Sequence, residues 1–148
     1  MELYGFSWNV LEAIDKQNSK RYSLKKRSRR CRMEESYVLQ SSEKKFKNLH
    51  LCFCGYCKCD PLYSFGPAVR PNYIIYYILE GKGIYKAGGK IYELTAGEGF
   101  LIEPEEVVFH QADSIEPWSY LWIGFAGEAA EDYLKCIGLN DDNLVFRK

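Results

Sequence analysis

Between Asn72 and Ala112 the chain is cut by glycine or proline every few residues: NYIIYYILEGKGIYKAGGKIYELTAGEGFLIEPEEVVFHQA. Helices do not survive such punctuation, because each glycine or proline weakens or ends a helical run. What lies between the breaks is rich in Tyr, Ile and Val, which suit a pleated surface. NYIIYYILE is predicted to be a buried strand. EGKG (Glu80–Gly83) and AGGK (Ala87–Lys90) are predicted turns with the short strand Gly83–Lys86 between them. Gly88-Gly89 supplies the two positive φ angles of a two-residue hairpin, so IYEL (Ile91–Leu94) returns beside that strand. TAGEG turns again, FLIEP is a strand ended by Pro104, and EVVFHQA (Glu106–Ala112) and PWSYLWIGF (Pro117–Phe125) are two more. Upstream, LHLCFCGY alternates, with Leu49, Leu51 and Phe53 facing one way and His50, Cys52 and Cys54 the other. About seven short, closely spaced strands predict a sandwich or barrel.

One helix follows. In GEAAEDYLKCIG, residues Ala130, Tyr133, Leu134 and Ile137 recur at helical spacing and predict a buried face. Gly138 stands where a glycine ends a helix, and Glu128, Glu131 and Asp132 lie near the start, where they suit the helix dipole.

A chain of 148 residues with 47% hydrophobic side chains can bury one core. Its formal charge is zero, but the charge is unevenly spread. Lys20–Arg32 (KRYSLKKRSRRCR) carries eight Lys/Arg and no acid, whereas the strand-rich part is mildly acidic, which argues against direct nucleic-acid binding by that part. Residues 1–36 are therefore expected to be a basic, disordered extension, and residues 37–148 the folded domain. No apolar run is long enough for a membrane-spanning helix, and no secretory h-region stands at the N-terminus, so the expected setting is cytoplasmic, with no membrane partner.

Cys52, Cys54, Cys57 and Cys59 fall within the eight residues of CFCGYCKC. Cys54 and Cys57 have a spacing that zinc pairs use, but no second pair stands elsewhere in the chain. Reducing conditions disfavour disulfides. The cluster is read as small side chains in a strand, with Cys52 and Cys54 against the barrel. No metal and no cofactor is expected.

The block ILEGKGIYKAGGKIYELTAGEGFLIEPEEV resembles a cupin core in its order of strand, GxG turn, strand, GG hairpin, strand and proline. With the flanks CGYCKCDPLYSFGPAVRPNY and FHQADSIEPWSYLWIGFAG, residues 37–148 resemble the effector domain of AraC-type transcriptional regulators. The resemblance implies a mainly β fold, a cupin-like (jelly-roll) antiparallel barrel with a C-terminal α-helix. It implies a small-molecule effector, commonly a sugar, and an N-terminal arm, here residues 33–48, that responds to it. In that family DNA is bound by a C-terminal domain with two helix-turn-helix units. Those residues do not follow Lys148 in this sequence, so the chain is expected not to bind an operator alone and to form at most a weak homodimer.

Metal-dependent cupins resemble one another in placing two His on one strand, then a Glu and a third His. This chain has only His50 and His110, and NYIIYYILE has none. A nucleophile elbow and a P-loop are also missing. No catalytic residue is assigned and the chain is expected not to be an enzyme. Trp118, Tyr120 and Trp122 share one face of their strand and offer an aromatic platform for the C–H face of a sugar. The resemblance implies that Arg70, just after the GP turn, and His110, Tyr120 and Trp122 on the late strands bind the effector. Three of them have a plainer alternative: a surface salt bridge for Arg70, a core or rim histidine for His110, simple packing for Trp122. Two other functions stay open at this point: a stand-alone, metal-independent cupin enzyme such as a sugar isomerase, and a zinc-binding module built on the cysteines.

Overall fold

The computed structural model describes residues 33–40 and 47–147. The basic run Lys20–Arg32 and the rest of residues 1–32 lie outside the described residues. Among the described residues, ten strands and one helix follow in order: β1 (Met33–Gln40), β2 (His50–Cys59), β3 (Ser64–Ala68), β4 (Tyr73–Glu80), β5 (Lys82–Ala87), β6 (Lys90–Thr95), β7 (Gly99–Ile102), β8 (Val108–Ala112), β9 (Ser119–Ala126), α1 (Ala130–Cys136) and β10 (Val145–Phe146). They form two facing antiparallel sheets. One has the order β1-β2-β9-β4-β7-β10 and the other β3-β8-β5-β6. This is a mainly β fold of two facing sheets, as the glycine-punctuated strands predict and as the resemblance to a cupin core implies.

The predicted hairpin is present. Ala87 pairs with Lys90, and Gly88 and Gly89 take φ of +54° and +74°, which a β-carbon would resist. Side chains from both sheets meet between them. Ile78, Tyr85, Leu94, Phe100, Leu101, Ile102, Val108 and Trp118 are almost wholly buried. Tyr85 donates its hydroxyl to the Leu101 carbonyl at 2.7 Å, so its polar atom is satisfied inside the core.

Several expectations are corrected. The strand β1 starts at Met33, inside the expected extension of residues 1–36, because its backbone finds partners on β2 from Met33↔Cys59 to Gln40↔Phe53. The alternation in LHLCFCGY breaks at a bulge: Leu51 pairs with Phe125 but Phe53 with Gly124. One extra residue reverses the parity of everything after it, so Leu51 and Phe53 face opposite sides. Cys54 then faces outward opposite Ile123, and the buried thiols are Cys57 and Cys59 rather than Cys52 and Cys54. The helix buries Ala130 and Leu134, but Tyr133 and Ile137 are exposed. The seven-residue α1 ends at Cys136, so Ile137 falls beyond it, and only Ala130 and Leu134, one turn apart, are buried. Its end is as predicted: Gly138 has φ +80°, its N–H donates to the Lys135 carbonyl, and Leu139 N–H donates to the Leu134 carbonyl. That is a Schellman closure, with Leu139 buried beside Leu134.

Candidate functional site

The platform strand β9 alternates cleanly. Trp118 and Tyr120 are buried and Trp122 half-buried on the inner side, while Leu121 and Ile123 are each 43% exposed outside. Neighbouring strands extend the inner layer. Tyr76 of β4 pairs opposite Trp122, and Ile78 opposite Tyr120. Across the barrel, His110 of β8 lies between Phe65 of β3 and Tyr85 of β5 in register.

His110 is enclosed by rings. Its centroid is 5.0 Å from Tyr76, 5.3 Å from Phe65, 5.5 Å from Phe100, 5.7 Å from Tyr120 and 5.9 Å from Trp118. It is fully buried, and neither ring nitrogen has a hydrogen-bond partner; nor does Trp118 Nε1. Burial pulls the imidazole pKa down from 6.5 to about 3, so His110 is neutral near pH 7. His110 is thus a core histidine whose ring nitrogens are unpaired among the described residues.

Arg70 lies just beyond β3, half-buried. Its guanidinium carbon is 4.9 Å from the Phe65 centroid, and Phe65 also stacks on His110. Tyr120 leads on to Trp122 at 5.8 Å, and Tyr76 bridges to both at 5.1 and 6.2 Å. Burial raises the Tyr76 phenol above its usual range, and the charge of Arg70 is the main influence opposing that shift. The four residues predicted from sequence thus lie on one contact path: Arg70, Phe65, His110, Tyr120, Trp122. Arg70 makes this cation–π contact rather than one of the described salt bridges.

Three members of the layer were not among the predicted site residues. Trp118 was visible, because it shares the period-2 face of Tyr120 and Trp122. Tyr76 was hidden in YIIYYIL, where both faces of the strand are apolar and alternation is lost. Phe65 was hidden because SFGPA, with its Gly-Pro pair, has the composition of a turn.

The cysteines separate by face. Cys57 is buried opposite Tyr120, and its sulfur lies 3.5 Å from that of buried Cys59. The hydrogen bond shared with Cys57, then burial, push the Cys59 thiol far above its usual range. Cys54 is on the outer side of the same strand, so Cys54 and Cys57 cannot close on one ion. The described cysteines are free thiols, and no group of three or more His, Cys, Asp or Glu among the described residues could hold a metal. His50 begins β2 in the six-stranded sheet, whereas His110 belongs to the four-stranded one. No described helix is long and apolar enough to cross a membrane.

Comparison with known proteins agrees with this architecture. Among solved structures, the protein YhaK from Escherichia coli superposes over 80% of this chain and 55% of its own, with a TM-score of 0.58 at 15% identity. A predicted oxalate decarboxylase from Thermotoga maritima superposes over 73% of this chain and 95% of its own, with a TM-score of 0.50 at 19% identity. At such identities these likenesses speak for the fold alone. Among curated proteins, the Msm operon regulatory protein of Streptococcus mutans is 51% identical over 78 residues, 53% of this chain and 28% of the relative. The raffinose operon transcriptional regulatory protein of Pediococcus pentosaceus is 40% identical over 79 residues, 52% of this chain and 28% of its own length. The lactose operon transcription activator of Staphylococcus xylosus is 27% identical over 104 residues, 70% of this chain and 37% of its own. The chain therefore matches between 28% and 37% of the length of these relatives, which are transcriptional regulators. The profile of the AraC-like ligand binding domain matches residues 50–144, a span that holds every residue of the path from Arg70 to Trp122, and the chain belongs to that family.

Proposed function

We propose that this chain is the effector-sensing barrel of a sugar operon regulator, and that the effector is a sugar held by Arg70, His110, Tyr120 and Trp122. The observation that carries this is the contact path itself: one guanidinium, one neutral imidazole and a tier of aromatic rings lead inward from half-buried Arg70 and Trp122. Aromatic faces accept the C–H side of a pyranose, while the guanidinium fork suits vicinal hydroxyls. The names of the relatives favour an oligosaccharide such as raffinose or lactose, both of which contain a galactosyl unit. The role is binding rather than turnover. Operator DNA, on this reading, is contacted by parts of the longer regulators that this chain does not match, in the cytoplasm, and any pairing of two barrels is weak. The strand β1 pairs along β2, which carries Phe53 and Cys57, so effector binding has a short route to the N-terminal arm.

Thermal unfolding in the presence of raffinose, lactose and their monosaccharides tests the proposal. One sugar should raise the midpoint in proportion to the logarithm of its concentration. Arg70→Ala and Trp122→Ala should abolish that response, and deletion of residues 33–48 should change the affinity. If every sugar leaves the midpoint unmoved, or if a sugar is chemically converted, the proposal fails.

A further inference from the structure

Beneath Tyr120 the barrel holds polar atoms that the path from Arg70 to Trp122 leaves unexplained. His110 Nδ1, His110 Nε2 and Trp118 Nε1 are buried without a hydrogen-bond partner. Their rings are 5.9 Å apart, and both residues are 0% exposed. Folded proteins rarely leave such atoms unpaired, and each exception calls for an explanation, of which a bound partner is one. A neutral imidazole offers one N–H and one acceptor, and an indole one N–H. Two donors and an acceptor on neighbouring rings are the groups that bond sugar hydroxyls.

The surroundings also decide the charge of what can sit there. The rings around His110 are Phe65, Tyr76, Phe100, Trp118 and Tyr120, all uncharged. The described cation on the path, Arg70, is in contact with Phe65 rather than with the imidazole. An anion placed beside His110 would lose its water and gain no counter-charge, which is far costlier than burying a hydroxyl. The imidazole itself stays uncharged, since its pKa is about 3.

We propose that His110 and Trp118 form the floor of the effector site and read hydroxyls of an uncharged glycosyl unit, so that neutral sugars are accepted and their phosphates and uronic acids are rejected. This rests on the effector-sensing reading above and adds to it a specificity residue, Trp118, and a charge rule.

The test uses indole N–H spectra of the 15N-labelled full chain, with Trp118 and Trp122 assigned from Trp118→Phe and Trp122→Phe. The probes are raffinose and methyl α-galactopyranoside, with galactose 6-phosphate and galacturonate as charged counterparts. A neutral sugar should shift the Trp118 indole proton and slow its exchange with solvent. The charged counterparts should bind at least about tenfold more weakly, and Trp118→Phe should weaken neutral-sugar binding by about tenfold, the effect of one buried hydrogen bond. Affinity should stay level from mild acid to mild base, because the imidazole does not titrate there. If a neutral sugar binds and moves only Trp122, the floor assignment falls while the effector reading stands. If the phosphate or acid binds more tightly, the charge rule falls. If no sugar binds, both fall. Should Trp118→Phe not fold, assignment by Trp122→Phe and Trp8→Phe leaves the wild-type spectra able to decide.

Discussion

Replacing Glu103 by Gln should uncover a steep loss of stability in mild acid that the wild-type chain conceals. Two groups pull in opposite directions. His110 titrates at 6.5 when free and at about 3 in the fold, so the unfolded chain takes up a proton that the fold refuses. Its contribution is full above pH 6.5 and is lost as the pH falls from there toward 3. Each pH unit in that window corresponds to about 1.4 kcal/mol, so moving from pH 6.5 to about pH 5 should remove about 2 kcal/mol. Glu103 runs the other way. Burial first, then the Asp141 side chain and the nearby Glu106 and Glu131, raise its pKa from 4.5 to about 7. The fold therefore holds a proton that the unfolded chain gives up, and this stabilisation is present below pH 4.5 and lost as the pH rises through 7. Glu103 is the more hydrated of the two, so its slope is the shallower. Between pH 4.5 and 6.5 the two slopes oppose each other. Urea unfolding of Glu103→Gln across this range should show the His110 slope, and adding His110→Phe should flatten it. All other titrating groups cancel in that difference. If the single and double variants lose the same stability on acidification, the imidazole is not shielded from protons and the account of the buried floor is wrong.

Other substitutions test separate contacts. Tyr85→Phe removes the 2.7 Å bond to the Leu101 carbonyl and leaves that oxygen buried, which should cost about 1–2 kcal/mol in urea unfolding. Gly83→Ala would put a β-carbon 2.4 Å from the Gln111 carbonyl oxygen and 2.6 Å from the Trp118 ring; the strand must move, and a loss of about 2–3 kcal/mol is expected, whereas Gly88→Ala meets no atom and is opposed only by its φ. In a Cys31→Ser background, exposed Cys136 should react with a thiol reagent in the native protein, while Cys57 and Cys59 should react only on unfolding. Prompt modification of all of them would mean that the inner tier opens readily.

The strands from Tyr73 to Ala126 were legible because their breaks are chemical: paired glycines at 88 and 89, a proline at 104, a period of two in WSYLW. What was missed depends on partners far away in the chain. The strand β3 contains a Gly-Pro pair and is a strand only because β8 lines up beside it. The two residues of β10 have no pattern of their own and are defined by Phe100 and Gly99. The bulge after Leu51 sets Phe53 opposite Gly124, where a β-carbon would meet its ring at 2.2 Å. In the site, alternation revealed the tryptophan strand and family likeness pointed to Arg70 and His110. Tyr76 stayed hidden because apolar residues on both faces of β4 erase the alternation. The unpaired state of the His110 and Trp118 nitrogens could not be read from sequence at all, since it depends on five rings converging from several strands.

The tier of rings also makes the barrel its own optical probe. Tyr85, Phe100, Tyr76, Tyr120, Trp118 and Trp122 are linked by centroid distances from 4.3 to 6.2 Å, at mutual angles from nearly parallel to nearly perpendicular. Chromophores fixed so closely in a chiral frame give strong near-ultraviolet circular dichroism, which vanishes when tertiary packing loosens even if the sheets persist. A molecule admitted to the layer must turn at least one of these rings. Binding and melting of the interior should therefore be readable, without a label, from the same band.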